Sequence, residues 1–189
     1  RMLGSFLKGL DVANTGPGTC KMLIASGIKT PEQLFDASMG ALREIVGDSR
    51  GRQLAKDLKA LKAGVPMNTW LKATASFFMR GANTTFDKVV DAIPNLEQYL
   101  KKGQTDALTL EISAMHGIDK LGPAIAEAAV KSYDMAANMG VTLVAPKKVK
   151  VVSAKLKGVN VAFTGIRDRD LMKRIVELGG TASDSMKSD

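Results

Sequence analysis

Along residues 3–140, apolar positions recur at intervals of three and four in short runs broken by glycine, a pattern that predicts short helices joined by tight turns. Leu54, Leu58 and Leu61 share one helical face, with Val65 beyond them. Ile125, Ala128, Ala129 and Met135 do the same in the longer run from Gly122 to Met139. Thr30-Pro31-Glu32-Gln33 reads as a helix start: Thr30 caps, Pro31 fits the first turn and Gln33 completes a capping box. Gly27, Gly64, Gly103 and Gly140 each follow a helical run and suit a left-handed C-terminal cap. No strand-like run precedes Val141, so this part reads as all-α. The pattern then changes. Ala145-Pro146-Lys147-Lys148-Val149-Lys150 is basic and broken by proline, and Lys155 and Lys157 extend the charge. The segment reads as a linker, either touching phosphate or serving as a solvated tether. Val159–Phe163 alternates like a strand and meets a Thr164-Gly165 turn. Asp168–Leu178 has an amphipathic helical pattern, Gly179-Gly180 stops it, and Thr181-Ala182-Ser183 suits a second strand. So small a strand-helix-strand cannot cover its own apolar faces, and a truncated second domain is expected. The expected organisation is a helical domain over 1–144, a basic linker over 145–155 and a partial α/β domain over 156–189.

Composition narrows the chemistry. The 189 residues carry 27 Lys+Arg against 19 Asp+Glu, a formal net charge of +8, which makes nucleic acid the first partner to consider. No apolar run approaches the ~20 residues of a membrane-spanning helix, and no signal-like segment follows Met2. A soluble, intracellular chain without a membrane partner is expected. The single cysteine, Cys20, excludes an internal disulfide and a cysteine-rich zinc cluster. The single histidine, His116, argues against a histidine-built metal site or a Ser-His-Asp triad. We therefore expect no catalytic residue, no metal ligand and no cofactor site within the chain. Cys20 reads as a small hydrophobe, His116 as a loop residue, and Trp70, Phe77 and Phe78 as core anchors.

One repeat stands out among the glycines. Turns at Gly16-Pro17-Gly18-Thr19, at Ser49-Arg50-Gly51-Arg52, around Thr84 and at Lys120-Leu121-Gly122-Pro123 fall at near-even spacing. Each lies between two short helical runs. The third, Gly81-Ala82-Asn83-Thr84-Thr85-Phe86, is degenerate. A tight turn feeding a helix exposes its first unpaired N–H groups and their partial positive charge. Glycine there lets a phosphate approach the backbone closely. Lys21, Arg50, Arg52 and Lys120 lie in or beside these turns and would add salt-sensitive phosphate contacts. The alternative is that the glycines only punctuate helices.

Asn14-Thr15-Gly16-Pro17-Gly18-Thr19 and Leu121-Gly122-Pro123-Ala124-Ile125-Ala126-Glu127 resemble helix-hairpin-helix motifs, and Gly51-Arg52-Gln53-Leu54-Ala55-Lys56-Asp57-Leu58 resembles a third. Leu156-Lys157-Gly158, Phe163-Thr164-Gly165 and Glu177-Leu178-Gly179-Gly180 resemble the opening of a BRCT domain. Four hairpins followed by BRCT resemble the C-terminal half of a bacterial-type NAD-dependent DNA ligase. The resemblance implies a mainly α fold: a tandem helix-hairpin-helix bundle followed by a partial α/β BRCT domain. It also implies binding of nicked double-stranded DNA by its sugar-phosphate backbone, in a bacterial or phage-infected cytoplasm near the nucleoid. The DNA-binding residues it implies are Gly16, Gly18, Thr19, Lys21, Arg50, Gly51, Arg52, Gln53, Lys120 and Gly122. The Lys-x-Asp-Gly adenylation motif and four-cysteine finger of that family are absent from this sequence. NAD and magnesium would belong to the catalytic half, which would be a partner or an upstream fusion. The usual first glycine is Ser49 in the second turn and Lys120 in the fourth. Two other readings stand beside this one. One is a stand-alone repair or replication scaffold whose BRCT domain binds a repair protein. The other is a helical protein-interaction domain whose charge serves solubility.

Overall fold

Local chemistry starts and stops the helices much as the pattern predicts. The computed structural model describes residues 2–79, 85–146, 153–162 and 169–183, and the chain falls into two units, Arg1–Pro146 and Lys147–Asp189. In chain order the first unit contains α1 (Met2–Gly9), α2 (Pro17–Ala25), α3 (Pro31–Asp36), α4 (Met39–Val46) and α5 (Asp48–Ala63). It continues with β1 (Val65–Pro66), α6 (Met67–Phe78), α7 (Thr85–Ala92), α8 (Leu96–Lys101) and α9 (Thr105–Ser113). A turn of 3-10 helix (Asp119–Leu121), α10 (Gly122–Asn138) and β2 (Leu143–Val144) complete it. The second unit contains β3 (Asn160–Ala162), α11 (Arg169–Glu177) and β4 (Thr181–Ser183). The chain is mainly helical.

The capping box at α3 is formed: the Gln33 amide donates to Thr30 Oγ1 and the Thr30 amide to Gln33 Oε1. Ser38 caps α4 in the simpler way, accepting from the Ala41 amide. Gly27, Gly103 and Gly140 end helices with φ of 93°, 59° and 65°, the left-handed conformation that glycine adopts at least cost. Gly64 departs from this expectation. Its φ of 170° is extended, because the chain leaves α5 directly into β1. That strand pairs in parallel with β2, Val65 opposite Leu143 and Pro66 opposite Val144. A two-residue strand is too short to leave an alternating pattern, so β1 was not visible in the sequence.

Two apolar clusters lie inside the first unit. One gathers Phe6, Leu7, Leu23, Leu34, Leu42 and Trp70 with residues as late as Met139 and Val141. The other gathers Leu71, Phe86, Leu108, Ile112, Ile125 and Ala129. Trp70 and Leu71 are neighbours on α6, so this helix feeds both clusters. Each fully buried Leu or Phe contributes roughly 1.5–3 kcal/mol of transfer free energy. Trp70 is the aromatic hub: Phe6 meets it edge-on at 5.7 Å and Phe35 at 6.4 Å, and its indole N–H donates to the Ser132 carbonyl at 2.8 Å. That bond satisfies the one polar atom of a side chain with no solvent exposure. Phe77 packs on the same cluster, whereas Phe78 is exposed, contrary to expectation. Consecutive helical residues point about 100° apart, so only one of the pair reaches the core. Cys20 is buried and donates to the Thr15 carbonyl at 3.5 Å; burial pushes its thiol pKa up, which suits a small hydrophobe and not a nucleophile.

In the second unit, β3 and β4 pair in parallel with Asn160 opposite Thr181 and Ala162 opposite Ser183. The strand-helix-strand order read from the sequence is therefore present. Its two adjacent glycines have separate tasks. Gly179 turns the chain with φ of 86°, while a Cβ on Gly180 would stand 2.9 Å from Ile175 and 3.2 Å from Leu156. Thr164 and Gly165 and most of the basic segment, 147–152, lie outside the described residues.

Candidate nucleic-acid interface

Two helix pairs of the first unit, α4 with α5 and α9 with α10, are built alike. In each, a glycine near the start of the second helix faces the backbone or a small side chain of the first. A Cβ on Gly51 would collide with the Arg43 backbone and lie 2.7 Å from the Leu42 carbonyl carbon. A Cβ on Gly122 would collide with Ser113 Oγ and lie 3.2 Å from the Thr109 carbonyl oxygen. Both glycines are buried. The pairs share this close approach but not a register: Gly51 is the fourth residue of α5 and meets the Arg43 backbone first, whereas Gly122 opens α10 and meets the Ser113 side chain.

This arrangement corrects one part of the sequence reading. Gly51 and Gly122 were expected to admit a phosphate to the backbone. They instead admit a neighbouring helix, and a buried glycine offers no surface to a ligand. At the second turn the chain reverses at Gly47, with φ of 91°, immediately before α5 begins at Asp48. The exposed first-turn residues of that helix are Asp48, Ser49 and Arg50. Gly47 is legible as a glycine after the apolar end of a helical run, a stop signal, whereas the glycine repeat falls on Gly51.

The first turn is different. Gly16 is the N-cap of α2 with φ of −65°, and Gly16 and Gly18 are both exposed, with no atom within 4 Å of where a Cβ would stand. The left-handed residues of this turn are Asp11 and Asn14, at φ of 64° and 58°. These short polar residue types tolerate that conformation better than most. Thr19 is buried and donates to the Asn14 carbonyl at 2.9 Å, which ties the turn down and removes its hydroxyl from any ligand. Lys21 is exposed. The third turn, 80–84, lies outside the described residues.

The cations divide into open and engaged. Arg50 and Lys120 are exposed, Lys120 on the 3-10 turn just before α10. Arg52 reaches Asp48 at 2.9 Å, and Arg43 donates to the same carboxylate. Hydrogen bonding from Arg43, then from Arg52, holds the Asp48 carboxyl below its ordinary pKa. Gln53 donates along its own helix to Asp57 at 2.7 Å and so is not free for phosphate. Neither Arg43 nor Asp48 was singled out from the sequence, because what joins them is the turn at Gly47.

The helices that follow these three turns, α2, α5 and α10, all begin without a side-chain cap. Their first-turn amides, with the partial positive charge of a helix N-terminus, are thus unclaimed by a cap, unlike those of α3 and α4. Pro17 and Pro123 occupy first-turn positions where no N–H is needed. Among the described residues, no group of three or more His, Cys, Asp or Glu could hold a metal ion, and no helix is long and apolar enough to cross a membrane. No protein-family model matches the chain, and neither a curated protein nor a solved structure shows significant similarity to it.

Proposed function

We propose that the chain binds duplex DNA through its sugar-phosphate backbone without reading base sequence, and that it is the DNA-clasping part of an NAD-dependent DNA ligase. One observation carries the reading: the matched helix pairs α4–α5 and α9–α10 each present an uncapped helix start beside an exposed cation, Arg50 in one and Lys120 in the other. In this reading the pairs are helix-hairpin-helix units. A phosphate takes amide hydrogen bonds and dipole attraction from the helix start, and a salt-sensitive contact from the cation. Two such units would grip two places along one duplex, and the open Gly16–Gly18 turn would add a third. Held across a nick, the duplex would present its 3′ hydroxyl and 5′ phosphate to a catalytic half that brings NAD and magnesium. The β3–α11–β4 unit would be the opening of a BRCT domain, for a protein partner.

The test is a salt-matched titration of nicked duplexes of several sequences with the full chain. Affinity should be similar across sequences, and log Kd should rise linearly with log salt. Arg50→Glu and Lys120→Glu, both at exposed positions, should weaken binding uniformly and reduce the salt slope by about one for each phosphate that is no longer neutralised. Gly18→Val changes no charge and meets no neighbour, so a several-fold weakening would assign binding at that turn to backbone shape. Unchanged affinity in all three variants, or a strong preference for one sequence, would overturn the reading.

A further inference from the structure

Beside the helix pair, one face of α5 forms a wall of a groove of about 400 Å³ whose apolar floor the DNA reading does not use. Its floor is apolar, made chiefly by Phe35, Met39 and Leu58. Its rim is basic: Arg52, Lys56, Lys59 and Lys62 follow one another along α5 at helical spacing. At 1.5 Å per residue the four cations span about 15 Å. Arg52 is held by Asp48, and Lys62 stands 6.0 Å from the centre of the Phe35 ring. Lys56 and Lys59 are exposed and have no ion-pair partner among the described residues. Met39 is 54% exposed, although it lines an apolar surface.

From this combination we propose that the groove docks an acidic amphipathic helix of a partner protein. Two observations select that occupant over a nucleic-acid strand. Phosphates gain nothing from an apolar floor, whereas two or three aliphatic side chains on one face of a helix fill a volume of this size. The rim cations recur at three- and four-residue intervals, which is also the spacing of carboxylates beside the apolar stripe of a helix lying along α5. Methionine at the mouth adds an adaptable, polarizable surface of the kind found where amphipathic helices dock. The apolar floor supplies affinity, and the basic rim supplies orientation and rate of encounter.

The probe is a synthetic helical peptide with leucines at i, i+3, i+4 and i+7 flanked by glutamates, titrated by fluorescence anisotropy into the full chain. The control is a scrambled peptide of identical composition with no apolar face. The patterned peptide should bind at least about tenfold more tightly than the scrambled one. Lys56→Glu with Lys59→Glu should remove about tenfold or more of that affinity, and Met39→Asp a comparable amount. All three substitutions are at exposed positions, and circular dichroism checks that each variant is folded. Nicked-duplex affinity at matched salt provides the second readout. The Met39→Asp variant should keep it within about twofold, so failure of the docking proposal is distinguishable from failure of the DNA reading. Equal binding of the two peptides would overturn the proposal by showing diffuse charge attraction. Competition between an oligonucleotide and the patterned peptide, with Met39→Asp weakening both alike, would overturn it in favour of a nucleic-acid groove.

Discussion

At the scale of single residues, the glycines of the turns divide by what lies opposite them. A methyl group on Gly51 has no room, because the obstacle is the Arg43 backbone and not the end of a movable side chain. Gly51→Ala should therefore destabilise the chain by about 1–3 kcal/mol, as overpacking does, and lower its melting temperature by several degrees. Gly18→Ala meets nothing, sits in the first turn of α2, and should leave the melting temperature unchanged or slightly raised. Thermal unfolding followed by circular dichroism compares the two; equal shifts would contradict the packing role of Gly51. Here the sequence was ambiguous for a physical reason. Its glycines are chemically identical, and only the tertiary neighbour decides whether one is a turn, a cap or a point of close packing. The exposure of Lys21, Arg50 and Lys120 was legible, since isolated cations at turns rarely find burial. The engagement of Gln53 by Asp57 was not, because the i, i+4 pair competes with the ligand that the turn position invites.

At the scale of an element, the α4–α5 turn is held by Asp48, which lies in the first turn of α5, binds Arg43 of α4 across the turn and pairs with Arg52 one turn along its own helix. Its carboxyl is held below the ordinary pKa, so the interaction stabilises the fold above the unfolded-state value and disappears as pH falls through the lowered folded one. The carboxylate is exposed, and the effect on stability is accordingly small. For DNA the effect has the opposite sign. Asp48→Asn removes a negative charge from the proposed phosphate site and frees Arg52, so duplex affinity should rise several-fold at low salt. That gain should shrink toward 1 M salt as the Debye length falls to about 3 Å. A titration at two ionic strengths checks this, and unchanged or weaker binding at low salt would place the phosphates elsewhere. The start of α3, marked by its capping box, was readable to the residue. The β1–β2 pair was not, because its two strands are too short to carry a pattern and are brought together only by the fold.

At the scale of the first unit, Trp70 in one cluster and Leu71 in the other make α6 a shared wall, so the two clusters should unfold together. Leu108→Ala in the second cluster should cost about 2–5 kcal/mol. It should move the denaturant midpoint of Trp70 fluorescence as far as Leu34→Ala does in the first cluster. A Trp70 midpoint unmoved by Leu108→Ala would mean that the clusters melt independently. The parallel β1–β2 pair has a consequence of a different kind. Buried residues of the second cluster run from Met67 to Ala129, interleaved on α6 with Trp70 and Ala73 of the first, whereas the first draws on residues up to Ala73 and then again on Ala136, Met139 and Val141. As the chain emerges from the ribosome, residues 3–73 therefore cannot cover all of their apolar surface until Ala136, Met139 and Val141 have followed. Only when Val141 has emerged and Leu143 reaches Val65 can the earlier part close, so a chain that stopped short of Val141 would leave the first cluster open on one side.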